Sequence, residues 1–217
     1  MTQADNVTVY YREPGHTIYH GDALEFDIPP DAVIITDPPY GLDWRATITG
    51  AQKFDKIAGD SDDRLMCWAL NLPNRRVVFG AENAAHAVPP GGAWHVWDKR
   101  VIEAADKIIG SPHELLWTSS HVQRQMFRVQ HAAAVNADAA IGMGGRRVHP
   151  TQKPVTLLRR IIELWTKPDD LIVDPFGGSG TTARAAKDLG RRSITIEIEE
   201  RYCQAAKARL AQEALPL

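Results

Sequence analysis

Two stretches of this chain hold side chains whose types and spacing could do chemistry. In DAVIITDPPYGL (residues 31–42) the apolar run Val33, Ile34 and Ile35 reads as a buried strand that ends in Asp37, Pro38, Pro39 and Tyr40. Proline donates no backbone hydrogen bond and pushes the residue before it toward extended geometry, so the carboxylate and the ring leave the sheet in a stiff, pre-set register. A rigid acid beside an aromatic face can hold a planar group that carries N–H donors. The second stretch is LIVDPFGGSGTTARAAKDLGRRSITIE (171–197), where a β-rich run ends at Asp174 and Phe176, Gly177, Gly178 and Gly180 follow. Thr181 and Thr182 can open a helix that Gly190 caps, and the next strand delivers Glu197, 23 residues after Asp174. This is the layout of a Rossmann-like nucleotide site, in which glycines admit a ligand close to backbone amides and the later acid holds ribose hydroxyls.

The glycine loop has neither the Gly-Lys-Ser/Thr ending of a triphosphate loop nor the Gly-x-Gly-x-x-Gly spacing of a dinucleotide site. Asp174 at a strand tip suits an ammonium better than a pyrophosphate, and Phe176 could meet an adenine ring or seat the loop. S-adenosylmethionine, with its amino-acid end, ribose and adenine, satisfies these cues. A glycine-rich turn that serves only the fold is the competing reading.

The elements that must position these groups alternate along the chain. Short β-rich runs at 17–20, 32–36, 76–79, 93–97, 114–118, 171–174 and 193–198 are interleaved with helix-compatible stretches at 64–70, 154–165, 181–189 and 200–213. Alternation of this kind predicts an α/β fold with a doubly wound, mostly parallel sheet and helices on both faces. Residues 41–63 and 121–149 lack periodicity, and loops of that length in a compact domain are functional or disordered. Trp94, Trp97 and Trp117 fall in strand-like runs and are expected in the core, whereas Trp44 lies in the loop after Tyr40.

Length and composition fit one soluble domain spanning 1–217, with 44% hydrophobic and 24% charged residues. The apolar runs are too short for a membrane span, and no basic-then-apolar leader opens the chain, so a cytoplasmic enzyme is expected. Cys67 and Cys203 give neither a disulfide framework nor a metal-ligand spacing, and no metal is expected. The net charge of −2 hides an uneven map: residues 99–160 hold ten basic and four acidic side chains, a local +6 that leaves −8 elsewhere. A basic face is compatible with a nucleic-acid partner.

Asp-Pro-Pro-Tyr at 37–40, together with Asp-Pro-Phe-Gly-Gly-Ser-Gly-Thr-Thr at 174–182, resembles the amino-group DNA methyltransferases. The 37–40 segment precedes the 174–182 segment, and that permuted order resembles the β class of adenine-N6 and cytosine-N4 enzymes. His149-Pro150-Thr151-Gln152-Lys153-Pro154 is similar to the family segment that precedes the cofactor loop, and Tyr19-His20-Gly21-Asp22-Ala23-Leu24 to its Gly-Asp segment, while Glu197 followed by Glu200-Arg201-Tyr202 completes the set. These matches run from residue 19 to 202 and cover most of the chain.

The resemblance implies a Rossmann-like S-adenosylmethionine-dependent methyltransferase fold, circularly permuted in motif order, acting on double-stranded DNA. It implies that Asp37 and the Pro38 carbonyl accept the two protons of the target amine while Tyr40 stacks on a flipped-out base, with Pro39 fixing their register. Asp22, Ala23, Thr151 and Lys153 join Asp174, Phe176, Gly177, Gly178, Gly180, Thr181, Thr182 and Glu197 as cofactor residues. Arg146 and Arg147 are the favoured phosphate contacts, Trp44 is a further candidate for DNA contact, and residues 119–148 are the short segment left for target recognition, as in a solitary methylase or one of a restriction-modification pair. β-class members are often dimers, so a homodimer is the implied partner. An aspartate at position 37 favours adenine over cytosine-N4. RNA or protein amide substrates and a non-catalytic DNA-binding subunit are the alternatives, and neither cysteine suits a covalent carbon-5 mechanism.

Overall fold

The computed structural model describes residues 6–43, 57–100, 111–130 and 152–212. Among them, nine strands form one mixed sheet: β1 (Thr8–Glu13), β2 (His16–His20), β3 (Val33–Thr36), β4 (Arg75–Phe79), β5 (Ala93–Asp98), β6 (His113–Thr118), β7 (Met126–Arg128), β8 (Leu171–Asp174) and β9 (Arg192–Glu197). The spatial order is β1-β2-β9-β8-β3-β4-β6-β5-β7. The five central strands β2, β9, β8, β3 and β4 run parallel, while β1 and β6 run against their neighbours. Among the described residues four α-helices accompany the sheet: α1 (Arg64–Asn71), α2 (Val155–Trp165), α3 (Thr181–Asp188) and α4 (Glu200–Leu210). Short 3₁₀ helices occupy Ala23–Glu25 and Ala81–Ala87.

The pleat explains why the central strands read as continuous apolar runs. Along β3, Val33 and Ile35 face α2 and α3, where they join Leu157, Leu158, Ile161 and Ala185 in the largest core cluster. Ile34 points the other way and packs with Val173, Ile196 and Trp68 of α1. A parallel strand covered by helices on both faces needs apolar residues at every position, as β3 and β8 show. Helices therefore cover both faces, α1 on one and α2 and α3 on the other. Trp97 and Trp117 are core residues, whereas Trp94 is partly exposed.

Two strands escaped the sequence reading. TVYYRE (β1) pairs antiparallel with β2 at the sheet edge and fully buries none of its residues, so no apolar run marks it. MFR (β7) is three residues long and ends the opposite edge against β5. The helix expected at 200–213 stops at Leu210, and the strand expected to reach 198 stops at Glu197, beyond which Ile198 is exposed.

Candidate active site

The two stretches with chemical potential, far apart in sequence, meet because β3 and β8 are parallel neighbours, with Val33 opposite Ile172 and Ile34 opposite Val173. Their carboxyl ends reach the same rim of the sheet, which is where α/β sheets place ligands. Asp37 leaves the tip of β3 and Asp174 closes β8. Thr36 Oγ1 ties the two tips together by donating to Asp174 Oδ1 at 2.8 Å. An open cleft lies over this rim, lined by Asp37, Lys153, Asp174, Phe176, Gly177 and Thr181 among others.

Asp37 does not stand alone. Its Oδ1 accepts from the Tyr40 hydroxyl at 2.6 Å and its Oδ2 from Lys153 Nζ at 2.5 Å. Both donors also reach Glu114 on β6: the Tyr40 hydroxyl lies 2.8 Å and Lys153 Nζ 2.9 Å from Glu114 Oε1. Lys99 Nζ holds the other Glu114 oxygen at 2.7 Å. Two carboxylates thus share two ammonium groups and one phenol. Burial raises the Asp37 carboxyl above its usual range, against the pull of Lys153, and the nearby Glu114 charge adds to the rise. Burial would raise Glu114 as well, but Lys153 and Lys99 overcome it and bring that carboxyl down to about 2. Burial opposes the Lys153 charge, yet the two carboxylates more than compensate and keep it protonated. The Tyr40 hydroxyl is pushed far up, first by burial and then by the two acids. A neutral phenol and a firmly charged lysine result.

Around the second stretch, Asp174 is buried and accepts from the Thr36 and Thr182 side chains and the Phe176 amide. No cation pairs with it among the described residues. Burial raises its carboxyl to about 6. Glu197 uses one oxygen to hold the Gly178 amide at 2.7 Å and the other to hold the Glu199 amide at 2.8 Å, and burial lifts it to about 6. Each oxygen keeps a second lone pair for a ligand. Gly180, at φ 75°, caps α3 where a Cβ would come within 2.6 Å of Ala206 on α4, so the loop and the two helices close only around glycine. Phe176 lines the cleft and packs edge-on against Trp68 at 5.9 Å.

The remaining sequence candidates distribute as follows. Asp22 and Ala23 sit beside Glu197, since the Gly21 amide donates to the Glu197 carbonyl at 3.0 Å, and the Asp22 carboxylate caps the first 3₁₀ helix through the Leu24 amide at 2.9 Å. Pro38 is buried and Pro39 partly so. Lys153, expected at the cofactor, reaches Asp37 and Glu114 and lines the common cleft. Trp44, Arg146, Arg147 and Thr151 lie outside the described residues. Sequence reasoning missed Glu114 and Lys99, which carry no local signal: each reads as a polar residue at a strand end. It also gave Cys67 no partner, whereas Cys67, His86 and Asp63 place their donor atoms within 4.8 Å of one another on the surface beside α1. Cys203 is a buried, apolar-lined thiol pushed up to about 12 by burial first.

Comparison with known proteins gives this geometry a family. Residues 84–208 match the family described as DNA methylase. YubD of Escherichia coli (strain K12), provisionally named a methylase, is 52% identical over 211 residues, covering 89% of this chain and 84% of its own length. Among solved structures, the M1.HpyAVI–SAM complex is 24% identical with a TM-score of 0.56, covering 90% of this chain and 99% of that one. The cytosine-N4-specific PvuII DNA methyltransferase is 20% identical with a TM-score of 0.63, covering 93% and 88%. At those identities the two structures establish the shared fold. With over half its length inside the family's span and a relative of such identity along most of it, the chain belongs to the DNA methylase family.

Proposed function

We propose that this chain transfers the methyl group of S-adenosylmethionine to N6 of an adenine flipped out of double-stranded DNA, as a β-class enzyme with its Asp37–Tyr40 segment ahead of its cofactor loop. One observation carries the reading: the Asp37 carboxylate and the Asp174 glycine loop open onto a single cleft, so donor and acceptor can meet. The residues present fit the cofactor. Asp174 is a buried carboxylate without a protein cation among the described residues, and the ammonium of an amino-acid ligand would complete it. Glu197 retains lone pairs for ribose hydroxyls, with Asp22 beside it. The cofactor supplies an electrophilic methyl on a sulfonium.

The chain's own task is to make a poor nucleophile attack. The exocyclic amine is delocalised into its ring and must become pyramidal, with its lone pair aimed at the methyl carbon. An acceptor for each amine proton, Asp37 and the Pro38 carbonyl, favours that geometry. Both bind the transition state more strongly than the ground state as charge builds on nitrogen. Flipping the base costs a few kcal/mol, and stacking on an aromatic face such as Tyr40 returns about 1–3 kcal/mol. Lys153 remains charged throughout and holds Asp37 in the anionic form that accepts.

The test is incubation with methyl-labelled S-adenosylmethionine and unmethylated genomic DNA, digestion to nucleosides and mass spectrometry. Label in N6-methyladenine that falls about a hundredfold or more in Asp37→Ala supports the reading. Label in N4-methylcytosine keeps the chemistry and overturns the base. Cofactor binding without labelled DNA overturns the substrate.

A further inference from the structure

We propose that Glu114 is a positioning residue for methyl transfer, the second seat for the Tyr40 hydroxyl proton and the Lys153 ammonium, which frees Asp37 to accept the target amine. The inference rests on the amine-methylation reading above. A phenol carries a single O–H, so Tyr40 donates to one carboxylate at a time. Its oxygen nevertheless lies 2.6 Å from Asp37 Oδ1 and 2.8 Å from Glu114 Oε1. Lys153 spans the same pair of acids, 2.5 Å from Asp37 Oδ2 and 2.9 Å from Glu114 Oε1. When both donors lean on Asp37, each of its oxygens already accepts once, so an incoming amine has only the second lone pair of an oxygen whose charge is drawn toward another donor. When the hydroxyl turns to Glu114, Oδ1 loses its donor in a buried site, and an incoming amine N–H satisfies it.

Glu114 is built to receive that turn. It lies on β6 opposite Trp97 of β5, and Lys99 pins its second oxygen at 2.7 Å, so the carboxylate does not swing away as its donors exchange. Lys153 is clamped between the rings of Phe79 and Tyr40, at 5.1 and 5.8 Å, and so pivots between the two acids without leaving the pocket. The exchange redirects one proton and moves no net charge, because Asp37 and Glu114 are balanced by Lys153 and Lys99. A buried site tolerates a redirected hydrogen bond far better than an unpaired ion. Asp174 behind Thr36, and Glu82 and His113 on the Glu114 side, are the other titratable groups facing this cluster.

The experiment compares the full chain with Glu114→Gln and Glu114→Ala. Glutamine keeps an acceptor oxygen and removes the charge, whereas alanine removes both. The readouts are kcat, KM for unmethylated genomic DNA, S-adenosylmethionine affinity and the pH profile. The Glu114 charge raises the Asp37 carboxyl, so its loss, with Lys153 then left wholly to Asp37, moves the acidic limb of kcat to lower pH. The same change ties both donors to Asp37 and lowers the plateau, by about tenfold in the glutamine variant and about a hundredfold in the alanine one. Cofactor affinity stays as it was. A glutamine variant with the parent's plateau and limb overturns the proposal, as does a rate loss with an unmoved limb and a lowered melting temperature. A parent that turns over no DNA amine sinks the underlying reading instead. For that reason the Asp37 carboxyl is also titrated directly, by its ¹³C shift in parent and Glu114→Gln protein. A titration that fails to move downward overturns the role of Glu114 whatever the activity.

Discussion

At the scale of single residues, the chemistry turns on which carboxylates are charged when the ligand arrives. Burial lifts Asp174 and Glu197 to about 6, against reference values of about 3.9 and 4.3 in an unfolded chain. A carboxyl raised by folding contributes stability that is full below the unfolded value and is lost as pH rises through the folded one. The ligand-free protein is therefore expected to lose stability from pH ~4 to ~6 on account of these two groups. Ionised Asp174 is also the form that can pair with an ammonium. Binding of S-adenosylmethionine should strengthen as pH rises through about 6 and level off above it. The check is the rise in melting temperature on adding S-adenosylmethionine at pH 5.5 and at pH 7.5. A larger rise at the higher pH is expected, and Asp174→Asn should shrink and flatten it. Equal rises at both pH values in the parent would remove Asp174 from the ammonium site.

At the scale of elements, the setting of Asp37 depends on how β4 ends. Gly80 leaves β4 in the left-handed region at φ 67°, and the Tyr40 ring lies against it where a Cβ would have to go. Gly80→Ala must displace that ring and with it the hydroxyl shared by Asp37 and Glu114. The expected result is a kcat at least about tenfold lower for a 1 Å shift of the phenol. Left-handed alanine should cost about 1 kcal/mol, or roughly 2–4 °C of melting temperature in a domain of this size. A variant with parental kcat would show that the Tyr40 hydroxyl takes no part. This contact also marks the limit of what the sequence discloses. The buried strands β3 and β8 and the loop after Asp174 are legible because apolar runs, prolines and glycines are local signals. Asp37, Asp174 and Glu197 stand at strand ends, so their rim is legible too. Glu114 is not, because HELLWT shows it as an ordinary polar residue at a strand start. Its place beside Tyr40 follows from the antiparallel register of β4 and β6, with Phe79 opposite Leu116, and no local pattern encodes that register. Lys153 is legible as part of a motif, but its partner is not, because the ion pair with Asp37 spans 116 residues.

At the scale of the whole molecule, sheet direction decides which charges can serve the cleft. β7 runs parallel to β5, which runs in the same sense as β3 and β8 through two antiparallel steps. Arg128, the last residue of β7, therefore stands on the same rim as Asp37 and Asp174. Arg160 from α2 reaches the Arg128 carbonyl at 3.4 Å, and both side chains are exposed, which places two cations together on the flank of the cleft. Arg192 opens β9 and lies exposed at the opposite rim. On the proposed reading, a duplex delivering a base to Asp37 would pass Arg128 and Arg160 and not Arg192. Each phosphate contact contributes about −0.9 to the slope of log affinity against log salt. Arg128→Ala and Arg160→Ala should each weaken binding of unmethylated duplex and make that slope shallower by about one. Arg192→Ala should leave affinity and slope near parental values, although it carries the same change in net charge. Fluorescence anisotropy across a salt series measures all three. Equal losses for the three variants would mean that net charge governs binding, and that the side of the sheet on which a cation stands does not matter.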